Sequence, residues 1–292
     1  LKKGLQIMEV LERAYAKLNI SLDTPYLHAD GLQEWDMLMV AVDLADTVTV
    51  RTTQAHTDII VESTSGLLPS NERNLAYQAA QIMRQIADAT DGIEIHIDKK
   101  IPIAAGLGGG SSDAAAVLRA LNKIWQLELS EAQLATEGLK IDADVPFCVY
   151  SRPAKVTGRG EIVTPLHMKL PSIYFIIAKP SVSVSTPKLL RTVRYDQLEH
   201  GDMQALMHAV DEGDYETLAR GMFNVLEPVT AKQFPEIIRI KEKMLQFGAD
   251  AAQMSGTGPT VFGITTKASR AKHIYNALKG FVVETHTVGL AN

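Results

Sequence analysis

The stretch from Pro102 through Gly106-Leu107-Gly108-Gly109-Gly110-Ser111-Ser112 to Asp113-Ala114-Ala115 constrains this chain more than any other. Before it, Ile93, Ile95 and Ile97 alternate with Glu94 and His96, the period of a strand, and the basic pair Lys99-Lys100 follows. After it, Ala114, Val117, Leu118 and Leu121 recur at helical spacing. Glycines between a strand and a helix let the backbone approach a ligand closely. The free N–H groups of the first helical turn and the positive end of its dipole then favour an anion, typically phosphate. Ser111 and Ser112 add hydroxyls able to donate to phosphate oxygens or to ligate magnesium. A ligand-free glycine turn is the competing reading. Three consecutive glycines, two serines and a small-residue helix start in one register favour phosphate. No Gly-Lys-Ser/Thr follows, which excludes a P-loop. Ser111 stands where the last glycine of a dinucleotide fingerprint anchored at Gly106 would be.

A chain of 292 residues is long enough for one large or two modest domains with an ample core. The net charge of -5 offers no basic excess to neutralise a nucleic-acid backbone, so no nucleic-acid partner is expected. The single cysteine, Cys148, cannot form an internal disulfide, which suits a cytoplasmic protein. It lies in the apolar run Val145 to Tyr150 and reads as a buried structural thiol. No apolar run reaches membrane-spanning length, and no signal-peptide core is recognisable. The opening Leu1-Lys2-Lys3-Gly4 has the purine-rich coding of a translated ribosome-binding site, so Met8 is expected to be the natural start.

Met8 to Asp23 reads as a strand pair with Lys17 and Asn19 on one face and Leu18 and Ile20 on the other. Asp30-Gly31 is a turn signal before the run Trp35 to Asp46, and Val48 to Val61 offers two short β-branched strands. Leu75, Ala79, Ile82, Met83 and Ile86 mark a helix. Ser130 with Gln133 forms a capping box for another, running to about Lys140. Asp144 precedes Val145-Pro146-Phe147, an apolar stretch expected as a strand. Gly158 to Gly160 turns a hairpin, the pattern breaks around Leu166 to Pro171, and Ile173 to Ala178 reads as a central strand. The later Ser255-Gly256-Thr257-Gly258-Pro259-Thr260 is a second glycine-rich loop, which a tight hairpin would explain equally well. A helix over Ala268 to Leu278 and a strand over Phe281 to Val288 end the chain. No internal repeat and no metal-spaced His/Cys cluster is present in the sequence.

Taken together, these motifs resemble the GHMP kinases. The GLGGGSSDAA form is most similar to the branch acting on 4-diphosphocytidyl-2-C-methyl-D-erythritol in non-mevalonate isoprenoid biosynthesis. The resemblance extends to Ala16-Lys17-Leu18-Asn19, Asn74-Leu75-Ala76, Ala143-Asp144-Val145-Pro146-Phe147, Gly158-Arg159-Gly160-Glu161, Val184-Ser185-Thr186-Pro187, Asn224 to Pro228 and the loop at Gly256 to Thr260. It implies an α+β fold: an N-terminal domain of the ribosomal protein S5 domain 2-like type over residues 1–168 and a ferredoxin-like C-terminal domain over 169–292. The implied activity is ATP-dependent phosphorylation of an alcohol, the 2-hydroxyl of that cytidyl substrate, by a monomer or homodimer. Lys17 and Asp144 are the implied catalytic pair. Pro102, Gly106, Leu107, Gly108, Gly109, Gly110, Ser111 and Ser112 would hold ATP, with Ser112 also on Mg2+. Asn74 would lie near adenine or simply start its helix. Asn19, Thr186, Gly256 and Gly258 would meet the acceptor.

The chain also departs from this pattern. The family's DGYH turn, whose tyrosine and histidine hold cytosine, reads Asp30-Gly31-Leu32-Gln33 here, and Leu190 replaces a further aromatic. Tyr15 replaces a proline, Asp142 a glycine, and Ser151-Arg152-Pro153 a Gly-Gly turn. Two alternatives therefore stand beside the main expectation: a GHMP kinase acting on a different alcohol, and a silent relative binding a nucleotide or a protein partner.

Overall fold

The structure is a computed structural model that describes residues 8–291, so the expectation about the residues before Met8 lies outside the described residues. In chain order it forms β1 (Met8–Asp23), β2 (Trp35–Thr53), β3 (Ile59–Ser63), α1 (Leu75–Ile86), β4 (Gly92–Asp98), α2 (Gly109–Ile124), α3 (Glu131–Leu139) and α4 (Val145–Tyr150). There follow β5 (Ala154–Gly158), β6 (Ile162–Pro165), β7 (Tyr174–Lys179), α5 (Thr186–Leu190), α6 (Met203–Glu212), α7 (Tyr215–Gly221) and β8 (Phe223–Asn224). The chain closes with α8 (Glu227–Gln233), α9 (Glu236–Gln246), β9 (Ala251–Met254), β10 (Val261–Thr265), α10 (Ala268–Leu278) and β11 (Glu284–Val288).

Two compact units share these elements. The first holds the described residues up to Ala16 with Leu44–Ile103 and Gly108–Ser151; the second holds Lys17–Asp43, Ala104–Leu107 and the chain from Arg152 on. In the first unit, the end of β2 pairs antiparallel with β4 (Val50 opposite Ile95), and β3 joins β4 in parallel. Ile93, Ile95 and Ile97 all point into the core, as their alternation predicts. Ala76, Ala79, Ala80 and Met83 of α1 pack against α2, which is buried nearly all round. The alanines let the two helix axes approach closely.

In the second unit, β5 pairs with the start of β2 and with β6, and β8 pairs in parallel with the end of β1. A separate antiparallel sheet has the order β11-β7-β10-β9, the arrangement of a ferredoxin-like domain, so the α+β expectation holds. β7 sits inside that sheet, and its continuous apolar run is buried throughout Phe175 to Ala178.

Three local expectations are corrected. Met8 to Asp23 is one strand and not a pair. Val48 to Thr53 continues β2, because no glycine or proline interrupts residues 35 to 53. Val145 to Tyr150 is a short helix: Pro146 stands in its first turn, where a missing N–H costs nothing, and Asp144 occupies the N-cap position.

Candidate functional site

In the second unit, the first half of the glycine loop is pinned from two directions. The Lys17 amide donates to the Leu107 carbonyl at 3.0 Å, and Ser255 Oγ donates to the Gly106 carbonyl at 3.1 Å. Gly106 has φ +75°, and a Cβ there would fall 2.7 Å from the Ser255 carbonyl oxygen, so only glycine fits. Asn224, which sequence reading matched without a role, donates through Nδ2 to the carbonyls of Met254 and Gly256, both at 2.8 Å. Beside it Glu227 accepts from the Met254 amide and from Lys241 Nζ. These two residues shape the second glycine loop from below.

Lys17 is not solvated. Its side chain is 4% exposed, and Nζ donates to Asn19 Oδ1 at 2.9 Å. A Cβ on Gly256 would lie 3.2 Å from that Nζ, so the second glycine loop runs directly past the ammonium. Thr186 and Thr257 share a hydrogen bond of 2.6 Å. A Cβ on Gly258, at φ +87°, would clash with Met254 Sδ. This unit therefore brings together Lys17, Asn19, Gly106, Leu107, Gly256 and Gly258, and it ties Thr186 to the same second loop.

The three positions departing from the cytosine-binding pattern also belong here. Gln33 Nε2 donates to the Tyr195 hydroxyl at 2.6 Å, and that hydroxyl donates to the Leu190 carbonyl at 3.4 Å. Leu32 is 47% exposed beside them in sequence. Its amide donates to Asp30, and this bond, with Arg159 alongside, holds the Asp30 carboxyl below the usual carboxylate range. Tyr195 was missed at the sequence level, because nothing local marks its partnership with Gln33.

In the first unit, the loop enters α2 through Gly108 (φ +66°), and no side chain caps that helix. Gly109 lies against Ile101 and Lys99, where a Cβ would stand 3.2 and 3.3 Å from them. Gly110 is open: a Cβ would meet only Leu75 Cδ1, at 3.6 Å. Pro102 is buried at the loop's start. The uncapped first turn with bare glycines is suited to an anion. Ser112 is 1% exposed, donates through its hydroxyl to the Tyr15 carbonyl, and lies 3.2 Å from Cys148 Sγ. The Tyr15 substitution leaves this contact intact, because the acceptor is main chain.

Asn74 caps α1: Oδ1 accepts from the Ala76 amide at 3.0 Å and Nδ2 donates to the Pro69 carbonyl at 2.8 Å. Asp144 is half-buried, and its amide donates to Asp142 Oδ1 at 3.0 Å. Ser151 takes φ +47° at the end of α4, a conformation the family's glycine adopts more cheaply; its hydroxyl donates to the Cys148 carbonyl and offsets part of that cost.

Beneath α2 lies a buried ionic cluster that sequence reading missed. Lys99 Nζ donates to Asp46 and, at 2.8 Å, to Asp113 on the second turn of α2. Asp46 also accepts from the amides of Lys100 and Ile101. Burial pushes the Asp113 carboxyl up to about 7; Lys99 restrains that rise and Asp46 adds to it. On Lys99 burial acts downward, but Asp113 and Asp46 outweigh it and hold the ammonium above its ordinary value. The available signal was the adjacent Lys99-Lys100, but which lysine turns inward depends on Asp46, far away in sequence.

The geometry defines an α+β protein whose uncapped α2 start is suited to an anion, and comparison with known proteins specifies its kind. The GHMP kinases N terminal domain matches residues 74–152, and the GHMP kinases C terminal domain matches residues 206–284. A 4-diphosphocytidyl-2-C-methyl-D-erythritol kinase of Ligilactobacillus salivarius is 56% identical, covering 96% of this chain and 97% of its own. The protein of the same name from Levilactobacillus brevis is 54% identical over 96% of this chain and 99% of its own. A crystal structure of 4-(cytidine 5'-diphospho)-2C-methyl-D-erythritol kinase superposes with a TM-score of 0.80 at 30% identity, covering 97% of this chain and 100% of that one. The chain belongs to the GHMP kinase family, in the branch of the 4-diphosphocytidyl-2-C-methyl-D-erythritol kinases. No helix among the described residues is long and apolar enough to cross a membrane.

Proposed function

We propose that this protein transfers the γ-phosphoryl group of ATP to the 2-hydroxyl of 4-diphosphocytidyl-2-C-methyl-D-erythritol, releasing ADP. The observation that carries the reading is the uncapped start of α2 beneath three glycines, in a chain 56% identical to a kinase of that name. The first-turn N–H groups of Gly109, Gly110 and Ser111 would receive the phosphates, with Pro102, Gly106, Leu107 and Gly108 fixing the loop that leads to them. Asn74 sets the start of α1 on the adenine side.

Mg2+ would neutralise phosphate charge. Ser112 would be its protein ligand: its hydroxyl donates a hydrogen bond to the Tyr15 carbonyl, and the oxygen keeps a lone pair for a cation. Mg2+ needs few protein ligands when phosphates supply the rest. No group of three or more His, Cys, Asp or Glu among the described residues could hold a metal by itself.

In this reading Asp144 takes the proton of the acceptor hydroxyl, and Lys17, held by Asn19, lowers that hydroxyl's pKa and steadies the charge on its oxygen. Thr186, Gly256 and Gly258 contact the acceptor, while Leu32, Gln33 and Leu190 border its base. The reaction is placed in the cytoplasm, without a nucleic-acid partner, in a monomer or homodimer whose domains divide after Met168. Incubation with ATP, Mg2+ and the cytidyl substrate should yield ADP and a new phosphomonoester by phosphorus NMR. ATP binding without that product would refute the acceptor and leave the nucleotide site standing.

A further inference from the structure

A single carboxylate oxygen joins the two halves of the first unit's chemistry. Asp142 Oδ1 accepts from Ser111 Oγ at 2.9 Å and from the Asp144 amide at 3.0 Å. Ser111 is the third residue of α2, and Asp144 is the N-cap residue of α4. The backbone of Asp142 is itself fixed: its amide donates to the Gly138 carbonyl at 3.3 Å, and its carbonyl accepts from the Val145 amide at 3.2 Å. A carboxylate at this place faces the positive end of α2, which favours it electrostatically.

We propose that Asp142 is a positioning residue, which holds the carboxylate-bearing turn of Asp144 at a fixed distance from the phosphate-binding start of α2. The inference rests on the roles proposed above for Asp144 and for the α2 N-terminus. Glycine at this position, as in the sequence pattern this chain departs from, has no side chain to make either bond. This chain therefore uses a side-chain bridge where backbone geometry alone would otherwise have to serve. Because small displacements of a reacting group are costly in rate, the bridge should act on turnover more than on nucleotide binding.

Asp142→Ala removes both of these bonds, whereas Asp142→Asn keeps an acceptor oxygen for them while losing the charge and exchanging the other oxygen for an NH2 group. In the alanine variant kcat should fall about tenfold, with the ATP KM moving by less than about threefold. The asparagine variant should recover most of the lost kcat. Ser111→Ala combined with Asp142→Ala should cost little more in kcat than Asp142→Ala alone, the mark of groups acting through one bridge. Equal impairment of the alanine and asparagine variants, unchanged kcat in Asp142→Ala, or strict additivity would each overturn the proposal.

Hydrogen exchange at the Asp144 amide provides a second readout that needs no substrate. It should accelerate about tenfold in Asp142→Ala and stay near the wild-type rate in Asp142→Asn. An unchanged rate in the alanine variant overturns the bridge even in an active enzyme. If wild-type protein turns over no cytidyl substrate, the assigned function fails, while the exchange rates still decide the bridge.

Discussion

Replacing Lys99 by methionine tests how the glycine loop and the start of α2 are anchored. The lysine side chain is 7% exposed and lies between Asp46 and Asp113, which are more deeply buried still. The substitution keeps the volume but leaves two carboxylates facing each other with no cation. Removing one partner from a buried ion pair costs about 3–5 kcal/mol, because the remaining charge is uncompensated. The cost must depend on pH. In the native protein Asp113 titrates at about 7, raised first by burial, restrained by Lys99 and raised further by Asp46.

A carboxyl whose folded value lies above its unfolded one binds its proton more tightly in the folded state. Its contribution to stability is therefore greatest below the unfolded value and declines as pH climbs to about 7. Without Lys99 that window extends upward, since the restraining charge is gone. Lys99→Met should thus lose about 3–5 kcal/mol near pH 8.5 and distinctly less near pH 5.5, where Asp113 can carry a proton. Urea titrations followed by the fluorescence of Trp35 and Trp125 at the two pH values measure the difference. A loss below about 1 kcal/mol near pH 8.5, or equal losses at both pH values, would show that the cluster is not a compensated buried charge.

Asp144→Asn should bind ATP with native affinity and lose about a hundredfold in kcat, as expected for a removed base; a parallel loss of ATP affinity by calorimetry would give Asp144 a structural role instead. Gly110→Val should melt within about 2 °C of wild type, since a Cβ there meets only Leu75 at 3.6 Å, yet it should abolish ATP binding by filling the approach to α2. Unchanged ATP affinity would remove this turn from the nucleotide site. The cytidyl substrate should bind at least about tenfold more weakly than to a relative with tyrosine and histidine at positions 32 and 33, because base stacking is worth about 1–3 kcal/mol per aromatic. Side-by-side Michaelis constants decide that point, and parity would show that Gln33, Tyr195 and Leu190 recognise the base by other means.

How much of this was legible in the sequence depended on whether a residue's partners lay nearby in the chain. The alternation of Ile93, Ile95 and Ile97, the capping box at Ser130 and the glycine loop are local signals, and each appears where its own spacing puts it. Val145 to Tyr150 differs although its cue is local: its apolar run suggests a strand, while Pro146 after an N-cap aspartate fits a helix start better. The charged residues behave differently. Lys99 and Lys100 are adjacent and chemically identical, yet their side chains are 7% and 62% exposed. What separates them is Asp46 on β2, which lies 53 residues from Lys99 in sequence. Gln33 likewise carries an amide able to donate and accept, but its partner Tyr195 lies 162 residues away, where no local signal marks it.

The same logic bears on the substitutions beside Asp144. Seen one at a time, Asp142 and Ser151 only replace glycines and cost backbone freedom. In the fold each forms a hydrogen bond that glycine could not: Asp142 to Ser111, and Ser151 to the Cys148 carbonyl. Both bonds brace α4, one before its first turn and one after its last. The departures therefore hold α4, and with it the Asp144 turn, by side-chain bonds where glycines would leave the work to backbone geometry.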